Sequence, residues 1–209
     1  MIKSDIVKLP KRQEPSRMVM FLHGVGSNAE DLISLSEYFP QNNDIVFVSP
    51  NGPENFDMAN FGYQWFSLQN RSKEHIKAGL EKASESLSLY VKKKLLDHNI
   101  SRDKLIVVGF SQGAMLAMHH FLEVEEKIAG VVAISGALIE GDKNFVSKPN
   151  MLIMHGDLDD VVPFAEFDYA VKRLKNEGVN VEELVMKKTA HHLNQEGITK
   201  MIDFCLRNL

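Results

Sequence analysis

Gly109-Phe110-Ser111-Gln112-Gly113 sets a serine hydroxyl between two glycines. A serine becomes a useful nucleophile when a base takes its proton and a third group orients that base. Candidates for both lie downstream. Gly156-Asp157-Leu158-Asp159-Asp160-Val161-Val162-Pro163 is an acidic loop, and Lys187-Lys188-Thr189-Ala190-His191-His192 ends in two histidines. A hydroxyl, a carboxylate and an imidazole are the parts of acyl transfer through a covalent intermediate. The Gly-x-Ser-x-Gly pattern alone is weak, because average usage supplies it by chance in roughly 7% of chains this long. A Gly/Ser turn, a solvated or helix-capping acidic turn and a polar histidine loop would account for the three segments one at a time. Their order and their setting argue for a common purpose.

The setting comes from the elements around them. Met18 to Leu22, Ile45 to Ser49, Leu105 to Phe110, Gly130 to Ser135, Met151 to His155 and Val181 to Met186 are short runs rich in Val, Ile, Leu and Met. Runs of this length that are apolar on both faces are strands of a parallel sheet covered by helices. Between them lie helical stripes: Ile76, Leu80, Ala83, Leu87, Val91 and Leu95; Phe164, Phe167, Ala170, Val171 and Leu174; Ile198, Met201, Ile202, Cys205 and Leu206. Asn28 with Asp31, and Asn194, read as helix starts. Alternating strands and helices predict a doubly wound α/β sheet, whose chemistry sits beyond the carboxyl ends of the strands. Ser111, the acidic loop and the histidine pair each follow a strand, so all three fall on that edge. The residues after Ser111 read as a helix, which puts the serine at a strained strand-to-helix turn with free N–H groups behind it. The order serine, acid, histidine is the one such a turn requires.

His23-Gly24-Val25-Gly26 follows the first strong strand, where a glycine-rich turn exposes backbone N–H groups. The Val25 and Gln112 amides are the expected oxyanion donors. His23 and His155 read as hydrogen-bonded structural residues. His119, His120, His75 and His98 read as structural or exposed. No Cys/His cluster or helical His-Glu-x-x-His pattern points to zinc, and no phosphate-binding glycine loop is present, so no cofactor or metal is expected.

The chain has 209 residues and reads as a single domain spanning 1–209. Its 24 basic and 28 acidic residues give a net charge of −4, with no long block of like charge, which argues against nucleic acid as a partner. Lys92-Lys93-Lys94 reads as a solvated helix face. Cys205 is the one cysteine and lies on an apolar stripe, which predicts a buried thiol and a reducing compartment. The first ten residues carry no apolar core of a secretory signal, and no run has the length of a membrane span. The expected location is the cytoplasm, without stable membrane insertion.

These residues resemble the phospholipase/carboxylesterase family of α/β-hydrolases, which includes acyl-protein thioesterases. The resemblance covers roughly Met18 to Leu209. It rests on Leu22-His23-Gly24-Val25-Gly26, Pro50-Asn51-Gly52-Pro53, Trp65-Phe66, Gly109-Phe110-Ser111-Gln112-Gly113-Ala114, His155-Gly156-Asp157-Leu158-Asp159 with Val162-Pro163, and His191 followed by Glu196-Gly197. It implies the α/β-hydrolase fold: a mostly parallel sheet with helices on both faces and, in so short a chain, no separate cap domain. It also chooses between neighbours. The acid matches Asp159 rather than Asp157 or Asp160, and the base matches His191 rather than His192, from the position of Gly197. Ala190 stands where relatives carry glycine, and Asp160 where they carry proline.

By that resemblance the substrates are small-molecule or lipid acyl esters or thioesters, or an acylated protein, handled by a monomer or weak homodimer. The long segment from Asn51 to Arg71 carries Met58, Phe61, Trp65 and Phe66. Together with Phe164 these are expected to line an acyl groove, although packing of the loop onto the sheet would also account for them. A serine peptidase or amidase on the same fold, and a non-catalytic binding module, are the competing readings.

Overall fold

A computed structural model describes residues 1–11, 13–41, 44–141 and 145–209. In chain order the elements are β1 (Asp5–Lys8), β2 (Arg17–Leu22), α1 (Ala29–Ile33), β3 (Ile45–Pro50), β4 (Glu54–Asn55), β5 (Tyr63–Gln64), α2 (Lys73–Asp97), β6 (Leu105–Phe110), α3 (Gln112–Glu123), β7 (Gly130–Ile134), β8 (Asn150–Gly156), α4 (Ala165–Asn176), β9 (Val181–Met186) and α5 (Gln195–Asn208). Among the described residues seven strands form one sheet in the order β1-β3-β2-β6-β7-β8-β9. Every pairing is parallel except that of β1 with β3. All six expected strands are present. β1 is an addition at the antiparallel edge, and β4 with β5 forms a short ribbon inside the long segment after β3.

Two-sided burial explains the apolar runs. Met18, Met20, Leu22, Val107, Ala133 and Ile153 face α2, α3 and α4, while Val19, Phe21, Ile106, Val132 and Leu152 face α1 and α5. Leu80, Ala83, Leu87, Val91 and Leu95 are the buried face of α2, the stripe expected from their spacing. Ser72 caps that helix by accepting from the His75 N–H, and Asn99 ends it at φ 52°, a left-handed value asparagine tolerates. Asn28 and Asn194 cap α1 and α5 through their side chains. Lys94 departs from the expected solvated face: it is largely buried, pairs with Asp5 of β1 and lies over the Tyr90 ring.

The strand order fixes the place for chemistry. From β2 the chain runs through α1 to β3 on one side, then through α2 back across to β6, and from β6 through α3 to β7 on the other side. Connections therefore diverge at the neighbouring strands β2 and β6, whose register runs from Met18↔Leu105 to Leu22↔Gly109. A crevice opens past the carboxyl ends of two such strands. Gly24 and Val25 follow β2, and Ser111 follows β6.

Candidate active site

Ser111 lies between β6 and α3 with φ 52° and ψ −116°. This is a conformation that side chains other than glycine adopt only under constraint, at a cost of about 1–3 kcal/mol. The constraint is visible on both sides. The Ser111 N–H donates to the Ile134 carbonyl of β7 at 2.8 Å, and the Ser111 carbonyl accepts from the N–H groups of Ala114 and Met115. The glycines make room. A Cβ on Gly113 would stand 2.1 Å from the Leu22 carbonyl oxygen, and one on Gly109 would stand 2.4 Å from that of Gly113. The turn is thus pressed against β2, with Gly24 packed on the Phe110 ring and the Ser111 Cβ.

Asp159 and His191 arrive on the carboxyl-side loops after β8 and β9, past the intervening loop after β7. Asp159 follows β8, and its Oδ2 stands 2.8 Å from His191 Nδ1. Its Oδ1 accepts the N–H groups of Val161 and Val162 at 3.0 and 2.9 Å. The carboxylate is fully buried. Burial pushes the Asp159 carboxyl up, but the Val162 N–H, the His191 imidazole and the Val161 N–H outweigh it and hold the group below its ordinary value. An ionised carboxylate only accepts, so Nδ1 of His191 carries the proton and Nε2 is left as the basic nitrogen. The His191 ring packs on Phe110, centroid to centroid 4.9 Å, which sets the imidazole beside the serine turn. Gly156 lets the two loops cross, since a Cβ there would lie 2.2 Å from the Thr189 carbonyl oxygen. Asp160 and His192 are exposed, and Asp157 pairs with Lys187.

The loop after β2 is held from below. His23 is fully buried, its Nε2 accepts the Gly52 N–H at 2.9 Å, and its Nδ1 therefore donates to the Gly24 carbonyl at 2.7 Å. Burial lowers the His23 pKa, against the opposing pull of the Gly24 carbonyl and of Asp31. Among the described residues no hydrogen bond uses the N–H of Val25 or of Gln112. The Gln112 side chain, which sequence reasoning missed, ties the long loop to the serine turn. Its Oε1 accepts the Trp65 N–H at 2.9 Å and its Nε2 donates to the Phe66 carbonyl at 2.7 Å. The Trp65 indole N–H donates to the His23 carbonyl at 2.9 Å. A polar side chain directly after the candidate nucleophile, on a helix turned into the core, was the available signal.

The model of the Phospholipase/Carboxylesterase family matches residues 5–208. The chain belongs to this family. Among its relatives is acyl-protein thioesterase 1 homolog 1 of Dictyostelium discoideum, 30% identical over 93% of this chain and 91% of that protein. Acyl-protein thioesterase 1 of Saccharomyces cerevisiae is 28% identical over 97% and 98% of the two chains. Among solved structures, that of esterase PE8 superposes with a TM-score of 0.91, at 31% identity over 99% of each chain. The fold is that of the α/β-hydrolases.

The remaining expectations divide. Trp65 and Phe66, expected in an acyl groove, are 2% and 3% exposed and pack into the sheet's core. Gln112 draws this stretch of backbone inward, so the rings fill the space over α2 instead of facing substrate. Met58 and Phe61 are 69% and 77% exposed near the β4–β5 ribbon. Phe164 is half-buried, stacked on Phe167. In this member of the phospholipase/carboxylesterase family a cleft of about 740 Å³ opens on the carboxyl-end side of β7 and β8, walled by Ile76, Leu138, Ile139, Ala165 and Tyr169 and by the charged Lys73, Glu74, Lys77, Glu140 and Glu166. Ala190 carries no positive φ, so its methyl group is accommodated at the position where the resemblance implies glycine. His119 and His120 are buried and His75 is exposed. Among the described residues no three His, Cys, Asp or Glu side chains are grouped to hold a metal ion, and no helix is long and apolar enough to cross a membrane.

Proposed function

We propose that Ser111 is the nucleophile, His191 the general base and Asp159 the orienting acid of this chain, with the Val25 and Gln112 amides as its oxyanion donors. Family membership makes the protein a serine hydrolase of carboxylic esters or thioesters. The observation that carries the residue roles is the buried Asp159–His191 pair set against the strained Ser111 turn.

His191 Nε2 takes the Ser111 proton as Oγ adds to the acyl carbonyl, forming a C–O bond and an oxyanion. The two amides stabilise that charge by about 3 kcal/mol each. Collapse of the adduct breaks the bond to the alcohol or thiol, and His191 returns its proton to the leaving group. Water then attacks the acyl-serine by the same path. Asp159 keeps the proton on Nδ1 throughout and stabilises the imidazolium.

The acyl chain runs toward the cleft between α2, the segment after β7 and α4, where Ile76, Leu138 and Ile139 offer apolar walls. Lipid esters and acylated proteins are the substrates we assign to it, following the thioesterase relatives. The cytoplasmic placement rests on a lone, fully buried cysteine.

A fluorophosphonate probe tests this directly. It labels Ser111, labelling is lost in Ser111→Ala with the far-UV circular dichroism unchanged, and acyl thioesters, esters and lysophospholipids compete for it. Labelling that survives Ser111→Ala refutes the assignment. Nitrophenyl esters showing no preference beyond acetate refute the acyl cleft.

A further inference from the structure

Asp159 Oδ2 faces a second imidazole. His155 is the penultimate residue of β8, fully buried, with its ring edge-on to Phe164 and tilted on Phe167. Its Nε2 lies 2.9 Å from the Val162 carbonyl oxygen and 3.4 Å from Asp159 Oδ2. A carbonyl only accepts, so Nε2 carries the proton and Nδ1 presents a lone pair. Val162 is also the residue whose N–H is donated to Asp159 Oδ1. One ring therefore pins the carbonyl of a residue that grips the carboxylate and directs the same N–H dipole toward the carboxylate's other oxygen.

The strand beside β8 leads into a serine with complementary chemistry. β7 and β8 pair in parallel with Ala133 beside Ile153 and Ile134 beside Met154, so Ser135 and His155 are the next positions along two adjacent strands. The Ser135 N–H donates to the Met154 carbonyl at 2.8 Å, which holds the register to that point. Ser135 is fully buried at φ 50°. Its Oγ and His155 Nδ1 are both buried and make no hydrogen bond among the described residues. A serine can rotate about χ1 to bring its hydroxyl toward a neighbouring lone pair, and two such atoms left apart in a core are costly, by about 1–3 kcal/mol each.

We propose that Ser135 and His155 form an inner arm behind the Asp159–His191 pair. His155 is a positioning residue that, through the Val162 carbonyl and the Asp159 carboxylate, fixes the acid's orientation. Ser135, donating to Nδ1, fixes the His155 tautomer. The inference rests on the Ser111, His191 and Asp159 roles above. The groups facing Asp159 are His155 from β8, the Val161 and Val162 amides from its own loop, and His191 from the loop after β9.

The test compares His155→Gln with His155→Asn. The Gln amide nitrogen falls near the position of Nε2 and the Asn amide nitrogen near that of Nδ1. The Gln variant is expected to keep kcat within about fivefold of wild type. The Asn variant should lose about 10- to 100-fold in kcat with KM little changed, as expected for slight misplacement of a catalytic group. The downfield proton resonance of His191 Nδ1–H, identified by its loss in His191→Ala, should stay in the Gln variant and move or broaden in the Asn variant. Equal kcat and equal resonances in the two folded variants overturn the proposal. If the Asn variant does not fold, Ser135→Ala decides: a displaced resonance and lower kcat support the arm, and wild-type values overturn it. Absence of Ser111 labelling in the wild-type protein would strike the underlying roles instead.

Discussion

Replacing Asp159 by Asn changes one atom and should disable the base by a route that the geometry dictates. Oδ1 of Asp159 accepts two main-chain N–H groups, from Val161 and Val162, and neither can be turned into an acceptor. The amide oxygen of Asn must therefore occupy that place, which turns its NH₂ toward His191 Nδ1 at the 2.8 Å contact. Two donors cannot face each other, so Nδ1 gives up its proton and Nε2 takes one. An imidazole protonated at Nε2 cannot accept from Ser111. The expected loss is about 10³- to 10⁴-fold in kcat, or roughly 4–5 kcal/mol of transition-state stabilisation, as when an orienting acid of this kind loses its charge. The assay is nitrophenyl ester hydrolysis under saturating substrate, with the rate of fluorophosphonate labelling as an independent measure of nucleophile activation. Asp157→Asn and Asp160→Asn serve as controls and should stay within a few-fold of wild type. An Asp159→Asn enzyme within tenfold of wild type, or a control that loses activity in its place, would refute the assignment of the acid.

Three further outcomes follow from the same geometry. Ser111→Gly should be inactive yet more stable than Ser111→Ala by about 1 kcal/mol or more, because glycine relieves the strain at φ 52°; a melting temperature about 3 °C higher than that of the Ala variant is the check. Gln112→Leu leaves the Trp65 N–H and the Phe66 carbonyl buried without partners, and should cost about 2–4 kcal/mol in urea unfolding. The single tryptophan reports the same event as a red-shifted emission, and an unmoved spectrum would argue against the clamp. His120 is buried beside Arg102 and His119, and burial first, then those neighbours, lower its pKa to about 3. The unfolded chain takes up this proton near pH 6.5 and the folded chain does not, so the stability is whole above pH 6.5 and is lost as pH falls toward 3. His120→Asn should flatten the fall in unfolding free energy between pH 7 and pH 4 by about 3 kcal/mol, measured in urea.

The strands and the long helices were legible because each must bury apolar side chains, and burial leaves a periodic trace. β1 was not, since Asp5-Ile6-Val7-Lys8 is four residues long, half-buried and bounded by charge. The β4–β5 ribbon has two residues per strand, too few for a period. The serine turn, the acidic loop and the histidine loop were found because their position after strands is itself chemical information. The Gln112 clamp was not, and the burial of Trp65 and Phe66 stood only as the alternative to an acyl groove, because both depend on which distant backbone meets α3. Sheet order has the same non-local origin: nothing local in β6 announces that β2 and β7 will flank it.

Among the described residues β9 is bonded to β8 alone and forms the outer edge of the sheet. Glu182 and Glu183 point to opposite faces of this edge strand, where Lys200 and Arg207 of α5 engage the first and Lys175 of α4 the second, which keeps charge along the edge where another strand would otherwise add. The loop after this strand delivers His191. On the roles proposed above, the nucleophile depends on a central strand, whereas its base depends on the outermost one. A molecule whose edge strand had come away would, on those roles, keep its serine turn and lose the base.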